Sequence, residues 1–407
     1  MNHDPVDAAI PGSVWGGILL VAGSCIGAGM LAIPILTGLL GFFPSLIIMG
    51  AAWLFMLFTG LLLVEANGWF YGQVNLLSMS EQSLGKPGRW ACWLAYLFLF
   101  YSLLVAYIAA SATICSSLFS TLLHLSIPPW SSALFFALLF GYYVWKGTEA
   151  VDRFNRSLMA GLIVTYICMV SVGIFRIRPQ LLEHTDWSYL LLPLPVLVVS
   201  FGFQNMIPSL TAYMRGDLKR VRQAIIGGSV AALFVYVVWS LLFLGNVPLE
   251  GEAGIRQTFL KGEEATGALR AALHSSWIGL FAQGFAFFAI VTSYLAQGLS
   301  LSHFLADGFK KVPDRRNMSW LVPLALFPPL VFALFYPQVF FRALSFAGGI
   351  CAMILFGFLP IGMIWIGRYR RHLTSNYHVH GGKTALIAAA LFTFLVIGCE
   401  LYRLVPR

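Results

Sequence analysis

The residues able to do chemistry lie in two short stretches. Gly23-Ser-Cys-Ile-Gly27-Ala-Gly29 sits mid-way along an apolar run, with Pro34 beyond it. Ser200-Phe-Gly202-Phe-Gln204-Asn205 sits mid-way along another, with Pro208 beyond it. Glycine costs a helix up to about 1 kcal/mol per residue and proline about 3. Both runs are therefore weakest as helix near their centres, where backbone groups are left unpaired. Unpaired N–H groups at the start of a half-helix attract a carboxylate. Unpaired carbonyls at the end of a half-helix attract an ammonium group or a small cation. No Lys or Arg lies inside either run away from its ends, so the backbone is the carboxylate binder. An α-amino acid presents both charges at a matching separation. Taken alone, Gly23-x-x-x-Gly27 fits close helix packing equally well. The second interruption favours a transport site, because paired breaks in corresponding positions of two halves mark such sites.

The elements that carry these stretches are apolar helices. Only 10% of the 407 residues are charged and 59% are hydrophobic, against roughly 25% charged in a soluble domain. Stretches long enough to cross a bilayer run over Val14–Leu40, Phe42–Ala66, Trp90–Leu123, Trp130–Trp145, Ser157–Phe175, Tyr189–Tyr213, Ile225–Val247, Ser276–Leu305, Leu321–Tyr336, Val339–Ile366 and Ala385–Tyr402. That is about eleven spans, the fourth and ninth short. The runs do not alternate apolar and polar residues as barrel strands do. The interruptions fall in the first and sixth runs. An offset of five spans makes two repeats antiparallel, so the expected plan is a tail at 1–13, a five-helix repeat at 14–176, an inverted repeat at 187–368 and an extra helix at 383–402.

Charge placement sets topology. With the N-terminus in the cytoplasm, cytoplasmic loops hold 17 of the 25 Lys and Arg and the other side holds 8. This predicts the N-terminus inside and the C-terminus in the periplasm of a bacterial inner membrane. The first run is too long for a signal peptide and follows Asp4 and Asp7 rather than bases. The net charge of +9 resides in short loops and does not suggest nucleic acid. The partners are membrane lipid and a small substrate. The six cysteines lie in or beside apolar runs without metal-ligand spacing, and His378-Val-His380 reads as a solvated loop. A channel calls for charged rings or a repeated filter, a membrane enzyme for clustered His, Asp or Glu in the spans, and a sensor for a soluble output domain. None is present in the sequence, so no enzyme and no cofactor is expected.

Three motifs carry a resemblance. Ala22-Gly-Ser-Cys-Ile-Gly-Ala-Gly-Met-Leu-Ala-Ile-Pro34, Ser200-Phe-Gly-Phe-Gln-Asn-Met-Ile-Pro-Ser-Leu210, and Ala289-Ile-Val-Thr-Ser-Tyr-Leu295 with Phe304-Leu-Ala-Asp-Gly308 resemble the first-, sixth- and eighth-helix signatures of bacterial aromatic amino acid permeases, the tyrosine- and tryptophan-specific transporters. One departure is Gln204, where His is often expected. The resemblance implies an all-α LeuT-type fold and a symporter for tyrosine or tryptophan. It implies that the N–H groups of Ala28 and Gly29 meet the substrate carboxylate. Carbonyls near Ser24 and Cys25 and around Ser200 would meet the ammonium. Phe203 would stack on the aromatic ring, and Gln204 would hydrogen-bond a phenol or indole. It also implies a coupling ion. Gly23, Ile26, Ala289, Thr292 and Ser293 match a Na⁺ site, whereas the aromatic permeases are regarded as proton-coupled. Glu65, an acidic residue inside an apolar run, is then the candidate proton site. H⁺ is the expected ion and Na⁺ the alternative.

Overall fold

The computed structural model describes residues 12–70, 74–124, 126–273, 276–312 and 314–404; the expected tail lies almost wholly outside them. Its helices are α1 (Val14–Cys25), α2 (Ile33–Leu40), α3 (Phe42–Asn67), α4 (Leu76–Leu123), α5 (Pro129–Lys146), α6 (Thr148–Gly173), α7 (Leu194–Ser200), α8 (Ile207–Tyr213), α9 (Leu218–Leu244), α10 (Ile255–Lys261), α11 (Ala265–Leu273), α12 (Ser276–Gly308), α13 (Arg315–Phe335), α14 (Phe340–Phe346), α15 (Leu359–Tyr369) and α16 (Gly382–Leu404). A 3₁₀ turn, Ala28–Leu31, precedes α2, and a wide π-helix, Ala347–Phe358, joins α14 to α15. Among the described residues nine helices are long and apolar enough to cross a membrane, and α1 with Ala28–Leu40 makes a tenth, bent by 49°. The predicted fourth span is the 18-residue α5, less apolar than these. No strand occurs among the described residues.

Lipid-facing and protein-facing sides separate as a bilayer requires. Trp15 is 76% exposed, Phe327 64% and Phe394 63%, while Trp239, Tyr236 and Phe203 are fully buried. Some helix starts are sealed by side chains. Ser13 Oγ accepts from Gly16 N–H at 2.9 Å, Asn75 and Ser78 form a reciprocal capping box, and Asp217 accepts from Lys219 and Arg220 N–H at 3.1 Å. Such caps are worth about 1 kcal/mol each.

The span expected over Trp90–Leu123 belongs to a longer element. α4 starts at Leu76 and turns sharply at Gly85, whose φ of 76° suits glycine, just before Pro87. The polar interval Asn246–Ser275, between the seventh and eighth expected spans, contains the short helices α10 and α11. Both features arise because a polar sequence can still form helix where it caps a bundle rather than crossing lipid.

Candidate functional site

α1 stops where the glycines begin. Ile26 closes the first half by donating to Ala22 O at 2.8 Å, and then adopts an extended backbone. The chain re-enters helix through Ala28–Leu31, where Met30 N–H bonds Gly27 O at 3.1 Å. The second break repeats the plan. Phe201 N–H bonds Leu197 O at 3.0 Å, α7 ends, and a 3₁₀ turn at Gln204–Met206 leads into α8. The two predicted discontinuities are thus observed.

The breaks face each other. Ser24 Oγ reaches Gly202 O at 3.4 Å. A Cβ on Gly29 would lie 2.6 Å from Ser200 Oγ, so Gly29 and Ser200 are in contact across the gap. That Ser200 hydroxyl is buried beside the Tyr236 hydroxyl and makes no well-formed hydrogen bond. A buried unsatisfied hydroxyl carries a desolvation cost of about 1–3 kcal/mol, which a ligand oxygen can remove. Gly23, Ser24, Gly27, Gly29 and Gly202 remain half-buried, while Cys25, Ala28, Met30 and Phe201 around them are buried. The accessible lining of the breaks thus includes these small residues, together with Ile26, Asn205 and Met206.

Ser24, Cys25, Ala28, Gly29 and Ser200 are brought together as expected, with one difference in use. Ala28 N–H already donates to Ser293 Oγ at 2.9 Å, leaving it engaged in this conformation. Phe203 and Gln204 face α3. The Phe203 ring lies 2.7 Å from where a Cβ on Gly60 would be. Gln204 Nε2 donates to Met56 O at 3.0 Å and lies 3.4 Å from Thr59 Oγ1, and its Oε1 is buried without a partner. Of the candidate cation ligands, Thr292 Oγ1 bonds its own helix at Phe288 O (2.9 Å) and Ala289 O (3.1 Å), and Ser293 sits on the break.

Glu65 lies elsewhere, in a buried cluster that joins the end of α3 to the end of α15. Arg368 Nε donates to Glu65 Oε1 at 2.6 Å, its NH2 group donates to Oε2, and Val379 N–H donates to Oε2 at 2.7 Å. His378 Nδ1 is 3.4 Å from Oε1, yet its side chain is mostly exposed on an irregular loop, as the sequence reading expects.

Four side chains escape the sequence reading. Tyr236 OH lies 2.6 Å from Cys25 O and 2.9 Å from Ser200 O. Trp239 Nε1 donates to Met30 O at 2.9 Å. The Tyr107 hydroxyl meets Ser293. Glu400 is buried in α16, touching the position of a Gly349 Cβ at 2.8 Å, with Arg403 3.9 Å away. A usable signal existed for the first two: buried Tyr and Trp need partners for their polar tips, and Tyr236 and Trp239, three residues apart, share a helix face.

Two facing helix breaks inside an apolar bundle are the arrangement of a membrane transporter. The chain belongs to the tryptophan/tyrosine permease family, whose model matches residues 11–400. It is 32% identical over 390 residues to tyrosine-specific transport system 1 of Haemophilus influenzae, covering 94% of each chain. It is 31% identical over 405 residues to the tryptophan-specific transport protein of the same organism, covering 96% of each. A crystal structure of MhsT in complex with L-phenylalanine superposes with a TM-score of 0.66 at 16% identity, covering 95% of this chain and 97% of that one. That likeness fixes the LeuT-type fold. The chain is a multi-pass protein of the bacterial inner membrane.

Proposed function

We propose that the protein is a symporter that imports tyrosine or tryptophan by alternating access, coupled to protons. The observation that carries this reading is the contact between Gly29, at the start of a 3₁₀ turn, and the buried hydroxyl of Ser200 at the opposite break. A carboxylate placed there gains backbone N–H donors and a hydroxyl donor, and the carbonyls ending α1 and α7 supply acceptors for an ammonium. The relatives named for tyrosine and tryptophan, and the neighbour solved with L-phenylalanine, support an aromatic side chain. Lys and Arg placement supports a cytoplasmic N-terminus and a periplasmic C-terminus.

Proton coupling follows the resemblance to the aromatic permeases; Thr292 donates its proton to its own helix and keeps its oxygen lone pairs, so it does not separate the two ions. The Na⁺ alternative rests on Ser293, which abuts the break beside Gly27. Uptake of labelled tyrosine and tryptophan into proteoliposomes separates these readings. Accumulation should follow an imposed pH gradient and collapse with a protonophore. Mere equilibration, or competition by aliphatic amino acids alone, would remove the aromatic symporter reading. Accumulation that follows a Na⁺ gradient at fixed pH and clamped potential would transfer the coupling to Na⁺.

A further inference from the structure

Tyr236, on α9, reaches the last carbonyl of both half-helices. Its hydroxyl is 2.6 Å from the oxygen of Cys25, where α1 ends, and 2.9 Å from that of Ser200, where α7 ends. A phenol has one proton and so serves one carbonyl at a time. The phenol oxygen and the two carbonyls therefore share the single phenolic hydrogen, with the Ser200 hydroxyl alongside. The two carbonyls sit at helix C-termini, where the peptide dipoles add negative character. No charged side chain lies within 23–34 or 200–208 to balance them. Such a surplus of acceptors suits a cation with several N–H donors.

We infer that Tyr236 is a positioning residue for the substrate's α-amino group, an inference that rests on the amino-acid reading above. Its hydroxyl holds the Cys25 and Ser200 carbonyls at one point. An ammonium has three N–H groups to offer these three oxygens. Each carbonyl keeps a second lone pair and the phenol oxygen can accept, so all three can be used while the tyrosine keeps its own bond. Trp239, three residues on, holds Met30 O at 2.9 Å and serves as the control: it supports the same break without touching the two terminal carbonyls.

The test compares L-tryptophan with indole-3-propionate, which keeps the ring and the carboxylate but lacks the amino group. Binding of each to purified protein is measured by titration calorimetry. Tyr236→Phe should weaken L-tryptophan by about tenfold or more, the factor for a hydrogen bond to a charged group, and leave indole-3-propionate nearly unchanged. Trp239→Phe should leave the ratio of the two affinities as in wild type. An equal loss for both ligands in Tyr236→Phe, or a changed Na⁺ dependence with an unchanged ratio, overturns the inference. If wild type binds the two ligands alike, the amino-acid reading itself falls and the inference falls with it. Should Tyr236→Phe not assemble, 3-fluorotyrosine at position 236 keeps the hydroxyl and alters its acidity; an unchanged ratio there also overturns the inference.

Discussion

Gly29 is where a single added methyl group should be felt most. Its Cβ would lie 2.6 Å from Ser200 Oγ, in the gap between the two breaks. Gly29→Val should insert and fold, yet lose substrate binding; fluorescence-detected gel filtration and equilibrium binding read the two properties separately. Near-normal binding would return the glycine cluster to a packing role. A second residue-scale prediction concerns Glu264, in the turn between α10 and α11. Burial pushes its carboxyl above the ordinary range, partly offset by hydrogen bonds from Thr266, whose N–H donates at 2.6 Å. A raised folded-state value means that the folded chain binds the proton more tightly than the unfolded one. The added stability is present below the ordinary carboxylate value and lost as pH rises through the raised one. Hydrogen exchange in α11, corrected for intrinsic rates, should show weaker protection at pH 8 than at pH 5, and Glu264→Gln should flatten the difference. At this scale the glycine pattern was legible because glycine and proline act locally. The partners of Ser200 and Tyr236 were not, since they come from residues far away in the chain.

Among elements, the paired helix breaks were readable and the buried Glu65–Arg368 pair was not. Glu65 stands in an apolar run, which suggested a proton carrier, but its partner Arg368 lies 303 residues away and only folding brings them together. Side-chain exposures of 2% and 6% make the pair a buried one. Removing one partner of such a pair costs about 3–5 kcal/mol, because the other charge is left uncompensated. Glu65→Ala should therefore lower the melting temperature in detergent sharply, and the fraction that folds should keep its response to a pH gradient. Loss of that response at unchanged stability would restore Glu65 as the proton site. Glu400, whose nearest cation is 3.9 Å away, lacks such an anchor, and Glu400→Gln is the companion measurement. The π-helix at Ala347–Phe358 was also unreadable. Its apolar composition is that of any span, and its shape follows from packing: a Cβ on Gly348 would sit 1.7 Å from Pro195 O, so only glycine lets this segment meet α7 backbone to backbone.

For the whole molecule, composition pointed to the membrane, and the length and unbroken apolar pattern of the runs pointed to the all-helical class and the approximate count of spans, because exclusion from lipid acts on every residue alike. Two of the three family motifs coincide with the helix breaks and so pointed to the fold; the third lies along α12. Energy coupling needs a measurement. Thr292→Ala with Ser293→Ala should leave accumulation responsive to pH and collapsible by a protonophore. Accumulation driven by Na⁺ in the wild type that vanishes in this double variant would refute proton coupling. The uncharged lining of the breaks has a bearing on bioenergetics. No Asp, Glu, Lys or Arg occurs within 23–34 or 200–208, so the lining itself adds no formal charge to what it carries. A zwitterion is neutral. With one monovalent coupling ion, each turnover would then move one positive charge inward, whichever ion that is. A membrane potential of 100 mV supplies about 2.3 kcal/mol to such a step, enough for roughly fifty-fold accumulation with no chemical gradient at all. Voltage is in that sense a driving input that the backbone chemistry of the two breaks makes available.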